Sequence, residues 1–192
     1  MMIELLPLKC VKCETMIQAH EEEVAWTCSQ CGQGNLLAPA GLAPLPVYWG
    51  VSRAGQTQLK WLPFWVFTAT ANFLTRQTYG GSHDQPDKLW SQPRRFYIPA
   101  FTASLEQMEK LGADLTKAQP TLTAGLAAGA LADCTLPPED AISAAEFVVI
   151  TIEADRRDKL REIYFAINTQ SDPELWLLPF NGEPSLQTLA IL

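Results

Sequence analysis

Four cysteines stand in two pairs, Cys10-Val11-Lys12-Cys13 and Cys28-Ser29-Gln30-Cys31, with fourteen residues between them. Each CxxC word is a tight turn that places two sulfurs on one side of the backbone. Two such turns complete a tetrahedral set of thiolates around one metal ion. Four thiolates suit zinc, with iron the rarer occupant. A closed set of four sulfurs leaves no coordination position for a substrate, so one structural Zn2+ is expected, folding its surroundings without catalysing. Gly32 follows the second pair, where the backbone often needs positive φ, and Glu14 stands at the matching place after the first.

Other residues of reactive type are less well placed. His20 lies midway between the pairs beside Glu21, Glu22 and Glu23 and is expected in a solvated turn. Cys134, within Leu131-Ala132-Asp133-Cys134-Thr135, has no activating histidine or basic neighbour and is read as a packed thiol. Ser82-His83-Asp84 contains the residue types of a triad, but consecutive side chains diverge from the backbone, so a surface loop is expected. Asp155/Asp158 lie among bases and Glu139/Asp140 at a helix start, where solvation and capping account for them. The chain contains no GxxxxGK[ST] phosphate loop. No residue is assigned a catalytic role.

Around the cysteines, Val24-Ala25-Trp26-Thr27 is expected as a short strand feeding Cys28. Thr15 to His20 is expected as a strand leaving Cys13, and Glu21 to Glu23 as the turn. With its two knuckles, this segment is similar to the TFIIB-type zinc ribbon over about residues 8–34. The resemblance implies paired β-hairpins closed by zinc; iron in the same site would imply a rubredoxin-like electron carrier.

The organisation expected is α+β: a zinc ribbon over residues 1–35, a proline-containing linker over 36–46, and an antiparallel-sheet domain over 47–192 with two or three helices. Val47–Val51 and Leu59–Leu62 are expected to form a hairpin continuing into Phe64–Phe73, followed by a polar loop over 79–87 and an extended segment at Phe96–Phe101. Ser104-Leu105-Glu106-Gln107 is a capping box, with Leu105, Met108, Leu111 and Leu115 at helical spacing and Gly112 a candidate early end. Pro138 begins a second helix to about Glu146. Phe147–Ile152, Ile163–Ile167 and Leu175–Phe180 are expected as a three-stranded antiparallel meander.

Three segments put proline inside an aromatic strand: Trp61-Leu62-Pro63-Phe64-Trp65, Tyr97-Ile98-Pro99-Ala100-Phe101 and Trp176-Leu177-Leu178-Pro179-Phe180. Two readings stand. The prolines protect strand ends while the rings fill the core. Alternatively Trp61, Phe64, Trp65, Tyr97, Phe101, Trp176 and Phe180 form an exposed surface for a partner. A ribbon followed by Leu62-Pro63-Phe64-Trp65 resembles a group of poorly characterised bacterial zinc-ribbon proteins, a likeness that implies no particular activity.

Hydrophobic residues make up 47% of the 192 and charged residues 18%, as in a globular chain with a sizeable core. The net charge of −7 is uneven. It is −3 over residues 1–40 (five acids, two bases), +4 over 41–100 (two acids, six bases) and −8 over 101–192 (fourteen acids, six bases). The most apolar stretch, Trp61 to Leu74, is too short for the roughly 20 residues a spanning helix needs. No leader is expected, reduced thiols suit the cytoplasm, and any membrane association would be indirect.

The function expected is that of a non-catalytic zinc-binding adaptor acting through protein–protein contacts. The alternative is a single-stranded nucleic-acid binder using the ribbon and segment 47–101, where Arg53, Lys60, Arg76, Lys88, Arg94 and Arg95 interleave with aromatics and Lys9 and Lys12 flank the first knuckle. Oligomeric state is left open.

Overall fold

The computed structural model describes residues 7–56, 58–79, 87–128, 131 and 133–191, with Asp87 and Lys88 described by their backbone alone. Ser82-His83-Asp84 lies outside the described residues. In chain order the elements are β1 (Ala25–Thr27), β2 (Gly34–Ala38), β3 (Gly41–Leu45), β4 (Val47–Gly50), β5 (Lys60–Thr78), α1 (Asp87–Trp90), β6 (Arg94–Pro99), α2 (Leu105–Ala118), β7 (Ala124–Gly125), α3 (Pro138–Ala154), β8 (Leu160–Thr169) and β9 (Glu174–Phe180). The fold is α+β, with the cysteine cluster preceding the main sheet.

β5 organises the molecule because its side chains are apolar on both faces. Trp65, Phe67, Ala69 and Ala71 point into one core with Ala141, Ala145, Val148, Val149 and Ile152 of α3. Leu62, Phe64 and Val66 point into a second core with Leu111 and Leu115 of α2 and Trp176, Leu178 and Phe180 of β9. Both edges are also occupied. β6 pairs antiparallel along Phe64–Ala69, while β9 pairs along Lys60–Val66 and β8 along Ala69–Thr78. Since Phe64–Val66 and Ala69 each have partners on two sides, β8 and β9 lie end to end along the edge opposite β6. β4 runs parallel to β9, and β7 closes that side.

Two sequence expectations are corrected here. The hairpin of Val47–Val51 with Leu59–Leu62 does not form, because β9 lies between β4 and β5. All six residues of Leu175–Phe180 are buried, and such a strand needs a neighbour on each edge. The meander is also absent, since Phe147–Ile152 is the second half of α3. Its β-branched run favours a strand locally, but Ala141, Ala145, Val148, Val149 and Ile152 repeat at helical spacing against β5 and β6, and tertiary burial overrides propensity.

α2 keeps its expected start: Ser104 Oγ accepts from the Gln107 backbone N–H and Gln107 Oε1 accepts from that of Ser104. Gly112 does not end it. A Cβ there would sit 2.9 Å from Val148 Cγ2 and 3.0 Å from the Tyr97 carbonyl oxygen, so glycine lets α2 close on β6 and α3. Residues 36–46 are not a linker in conformation. They carry most of the β2–β3 hairpin, turned at Pro39-Ala40 with Gly41 at φ 116°. Ala25 and Leu45 enter the same core as Trp65 and Cys134, so the three-stranded sheet β1–β2–β3 packs onto the main sheet.

The three prolines sit where the ladder does not ask for a donor. The Pro63 carbonyl accepts from Ala100 N–H, and the Ala100 carbonyl, which a residue with an N–H at 63 would face, accepts instead from Thr135 and Leu136. On the outer edge of β6, Arg95 N–H donates to Gln119 Oε1 and Tyr97 N–H to Thr116 Oγ1. Pro99 follows at the same parity and has no N–H to leave exposed. The Pro179 carbonyl accepts from Ala190 N–H, beyond the reach of β4.

A register shift between Phe73 and Thr75 changes the phase of β5, so Arg76 takes up the inward-facing parity. Its Nε lies 2.7 Å from Glu153 Oε2 and its Nη1 2.6 Å from Asp158 Oδ2. Trp90 Nε1 donates to the other Glu153 oxygen at 2.9 Å. Glu153 is fully buried, so its charge depends on these partners. Arg76→Met is expected to lower stability by about 3–5 kcal/mol in urea unfolding, by withdrawing the guanidinium that two buried carboxylates share. The hydrogen bond from Arg76 holds the Asp158 carboxyl below its ordinary value. That share of stability is therefore complete above about pH 4 and is lost as pH falls through the depressed folded value, a loss the variant should lack.

Candidate metal centre

The two knuckles share one backbone pattern. Cys10 N–H donates to Thr15 O and Glu14 N–H to Cys10 O, both at 2.9 Å; Cys28 N–H donates to Gln33 O and Gly32 N–H to Cys28 O, both at 2.8 Å. The fourth residue after each leading cysteine is left-handed, Glu14 at φ 59° and Gly32 at φ 71°. Glu14 thus adopts the glycine conformation despite its side chain, held there by the two hydrogen bonds that close the turn.

The sulfurs converge. Cys10 Sγ is 3.7 Å from Cys31 Sγ, Cys13 Sγ is 3.6 Å from Cys28 Sγ, and the four lie within 4.8 Å of one another. Four sulfurs held tetrahedrally at about 2.3 Å from a zinc ion stand about 3.8 Å apart, so the set could hold one metal ion of that size. A disulfide would bring a pair to about 2.0 Å, and all four are free. The Thr15 hydroxyl, 3.3 Å from Cys13 Sγ, together with its backbone N–H holds that thiol down to about 6. At Cys31 the backbone hydrogen bond from Gln33 favours the thiolate, but burial and the sulfurs of Cys13, Cys10 and Cys28 outweigh it and push the thiol up to about 12. Bare sulfurs this close resist ionising together; a dication relieves that.

Asn35 ties the knuckles to each other. Its side chain is fully buried; Oδ1 accepts from Val11 N–H at 3.0 Å and Nδ2 donates to Gln33 O at 2.8 Å. It was not singled out from the sequence. The one signal available was a polar residue between Gly34 and Leu36 in an apolar strand.

The other sequence-derived candidates lie apart from the cluster. His20 is exposed, its N–H donating to Glu23 Oε2 at 2.7 Å, an oxygen that also accepts from Trp26 Nε1 at 2.8 Å. Cys134 is fully buried, and burial pushes its thiol up to about 12, as expected of a packed side chain. Of the seven aromatics considered as an interaction surface, Phe64, Trp65, Tyr97, Trp176 and Phe180 are buried. Trp61 and Phe101 are half-buried, packed on Trp49 at 5.2 Å and on Phe64 at 5.7 Å. The rings fill the core because both faces of β5 are covered.

The four arginines of segment 47–101 donate to the protein's own groups, with Arg53 exposed and Arg94 and Arg95 half-buried. Arg53 donates to Ile191 O at 2.8 Å, Arg94 to Leu89, Thr116 and Lys117 carbonyls, and Arg95 to Pro120 O, while Arg76 is held by Glu153 and Asp158. Lys60, Lys9 and Lys12 are exposed.

The outer side of the second knuckle forms one wall of a cleft of about 760 Å³. Thr27, Cys28, Ser29 and Gln33 line it together with Leu45, Val47 and Trp49, and its described lining holds no acidic or basic side chain. Leu126, 92% exposed, stands at its rim.

Removing Asn35 is expected to leave Val11 N–H unpaired beside the cysteines and to take from Gln33 C=O one of its two donors, the other being Cys28 N–H. Asn35→Ala should weaken metal binding by about 10–100-fold in competition with a chromophoric chelator. Unchanged affinity would mean that the ligating loops hold their geometry without it. Set against protein-family models, curated proteins and solved structures, the chain matches none.

Proposed function

We propose that this protein is a non-catalytic zinc-binding adaptor, with a TFIIB-like ribbon holding one Zn2+ through Cys10, Cys13, Cys28 and Cys31. One observation carries the reading: the second knuckle is a wall of the 760 Å³ cleft, so ordering by the metal shapes a recognition surface. A closed thiolate set offers zinc no fifth position for chemistry, and its contribution is the fixed backbone from Thr27 to Gly34. The cleft joins a polar, glycine-containing wall to an apolar one, the combination found at binding sites for uncharged groups. An electron carrier would use the same sulfurs with iron. A nucleic-acid binder would need its rings outward together with its cations, and in segment 47–101 most of the rings are buried, while Arg76 is held by buried carboxylates and Arg53 and Arg94 donate to backbone carbonyls.

Elemental analysis of the protein purified without added metal should give one zinc per chain. Stoichiometric iron with strong visible thiolate absorption would replace the adaptor with the electron carrier. A photo-crosslinking amino acid at Leu126, introduced in the source cells, should capture a discrete protein partner and lose it on Cys31→Ser. A crosslinker at Leu74, 80% exposed on β5, is the control. Equal capture at both positions would remove the cleft from the proposal.

A further inference from the structure

A helix that is apolar around most of its circumference is normally covered on every side. α3 is such a helix, but one side is open. Ala141, Ala145, Val148, Val149 and Ile152 are buried, while Phe147 is 50% exposed and Ile150 40%. α2 lies beside it in the same direction, with Gly112 against Val148 and Lys117 Nζ 3.7 Å from Asp155. Leu105, 64% exposed, opens the α2 side. Between the helices is an apolar recess of about 40 Å³, floored by Ile98, Pro99 and Val148 and walled by Leu105, Met108 and Phe147. It is the size of the end of one aliphatic side chain.

The charge around this recess selects the occupant. Glu109 is the one charged residue among its described lining, and exposed Glu146 adjoins Phe147. α3 contains four acids and no base. Glu153 is compensated inside by Arg76 and Arg156, while Glu139, Asp140 and Glu146 are exposed. The two α2 lysines offer little relief: Lys110 is 3.0 Å from Asp114, and Lys117 lies between Asp114 and Asp155. A second copy presenting the same face would bring acid against acid, and an anionic lipid surface would be repelled.

We propose that the α2–α3 groove docks a basic amphipathic helix of a partner protein. One aliphatic side chain enters between Leu105, Met108 and Phe147, and flanking lysine or arginine residues meet Glu109 and Glu146. Two parallel helices offer a groove suited to a third, with anchors one turn apart. The inference deepens the adaptor reading and rests on it, but it uses a surface other than the cleft.

The test uses the zinc-loaded full chain and two labelled synthetic peptides about four turns long, one of leucine and lysine and one of leucine and glutamate, read by fluorescence anisotropy. The leucine–lysine peptide should bind. Phe147→Ser and the double variant Glu109→Lys/Glu146→Lys should each weaken it by about tenfold or more, and the leucine–glutamate peptide should bind only to the double variant. All altered positions except half-buried Glu109 are exposed, and matching unfolding midpoints verify folding. Ile150→Ser replaces any variant that misfolds. Binding of the cationic peptide that ignores Phe147→Ser and Ile150→Ser would overturn the groove, as diffuse attraction to an acidic chain. Dimerisation in sedimentation that Phe147→Ser abolishes would also overturn it, giving the face to a second copy. Either failure leaves the Leu126 crosslink to decide the adaptor reading separately.

Discussion

A strand with large apolar side chains on both faces and neighbours on both edges must be covered four times, and most of this fold is the covering of β5. α3 takes one face and α2 with the chain end around Leu189 and Ile191 takes part of the other. β6 takes one edge, and β8 and β9 in succession take the opposite one. Burial of a large apolar side chain contributes about 1.5–3 kcal/mol, so Phe64, Trp65 and Phe67 together bind these elements more strongly than any local propensity can. This is why α3 stays helical through a β-branched run. A helix presents Val148, Val149 and Ile152 to β5 on one side, whereas a strand there would add another edge with no element left to cover it.

The four-cysteine cluster is coupled to that core through short backbone links. Val24 N–H donates to Cys134 O at 2.8 Å, and Ala25 bridges Cys134. Cys28 lies one residue beyond β1, and Leu37 of β2 donates to Val24 O. Ordering of the second knuckle therefore reaches Cys134 to Leu136, whose Leu136 carbonyl accepts the indole N–H of buried Trp65. Cys134 occupies a junction where its small, apolar thiol fills space and its backbone carries the connection.

The convergence of the four cysteines was legible in the sequence because its chemistry is local: two CxxC words impose their own turns, and the capping box at Ser104 is similarly self-contained. The sheet order was not legible. Val47–Gly50 and Lys60–Leu62 look like hairpin partners along the chain, and only the burial of every residue in Leu175–Phe180 reveals that β9 must lie between them. The Arg76–Glu153–Asp158 cluster was invisible for a related reason. The register shift after Phe73 turns Arg76 inward, and strand alternation alone misses such a shift. By residue type alone Arg76 suits a surface cation and Asp158 a solvated carboxylate, yet the side chain of each is buried against the other.

The aromatic-proline segments show how one pattern can carry two opposite meanings. Aromatic rings with an interrupting proline describe an exposed groove equally well as a core strand at the limit of its ladder. Hydrogen-bond accounting separates them: Ala100 O, which Pro63 cannot serve, is satisfied by Thr135 and Leu136, and the outer N–H groups of β6 are taken by Thr116 and Gln119 until Pro99 ends the need. Those rings are thus committed to stability. Apolar surface still facing water at Leu105, Phe147 and Leu126 lies outside all three segments. Beside Phe147 the outward charges are acids, whereas the described lining of the cleft beside the second knuckle holds no acidic or basic side chain. The two surfaces therefore make different demands on anything that would contact them, one apolar and acidic on the paired helices, the other shaped by the loop that carries Cys28 and Cys31.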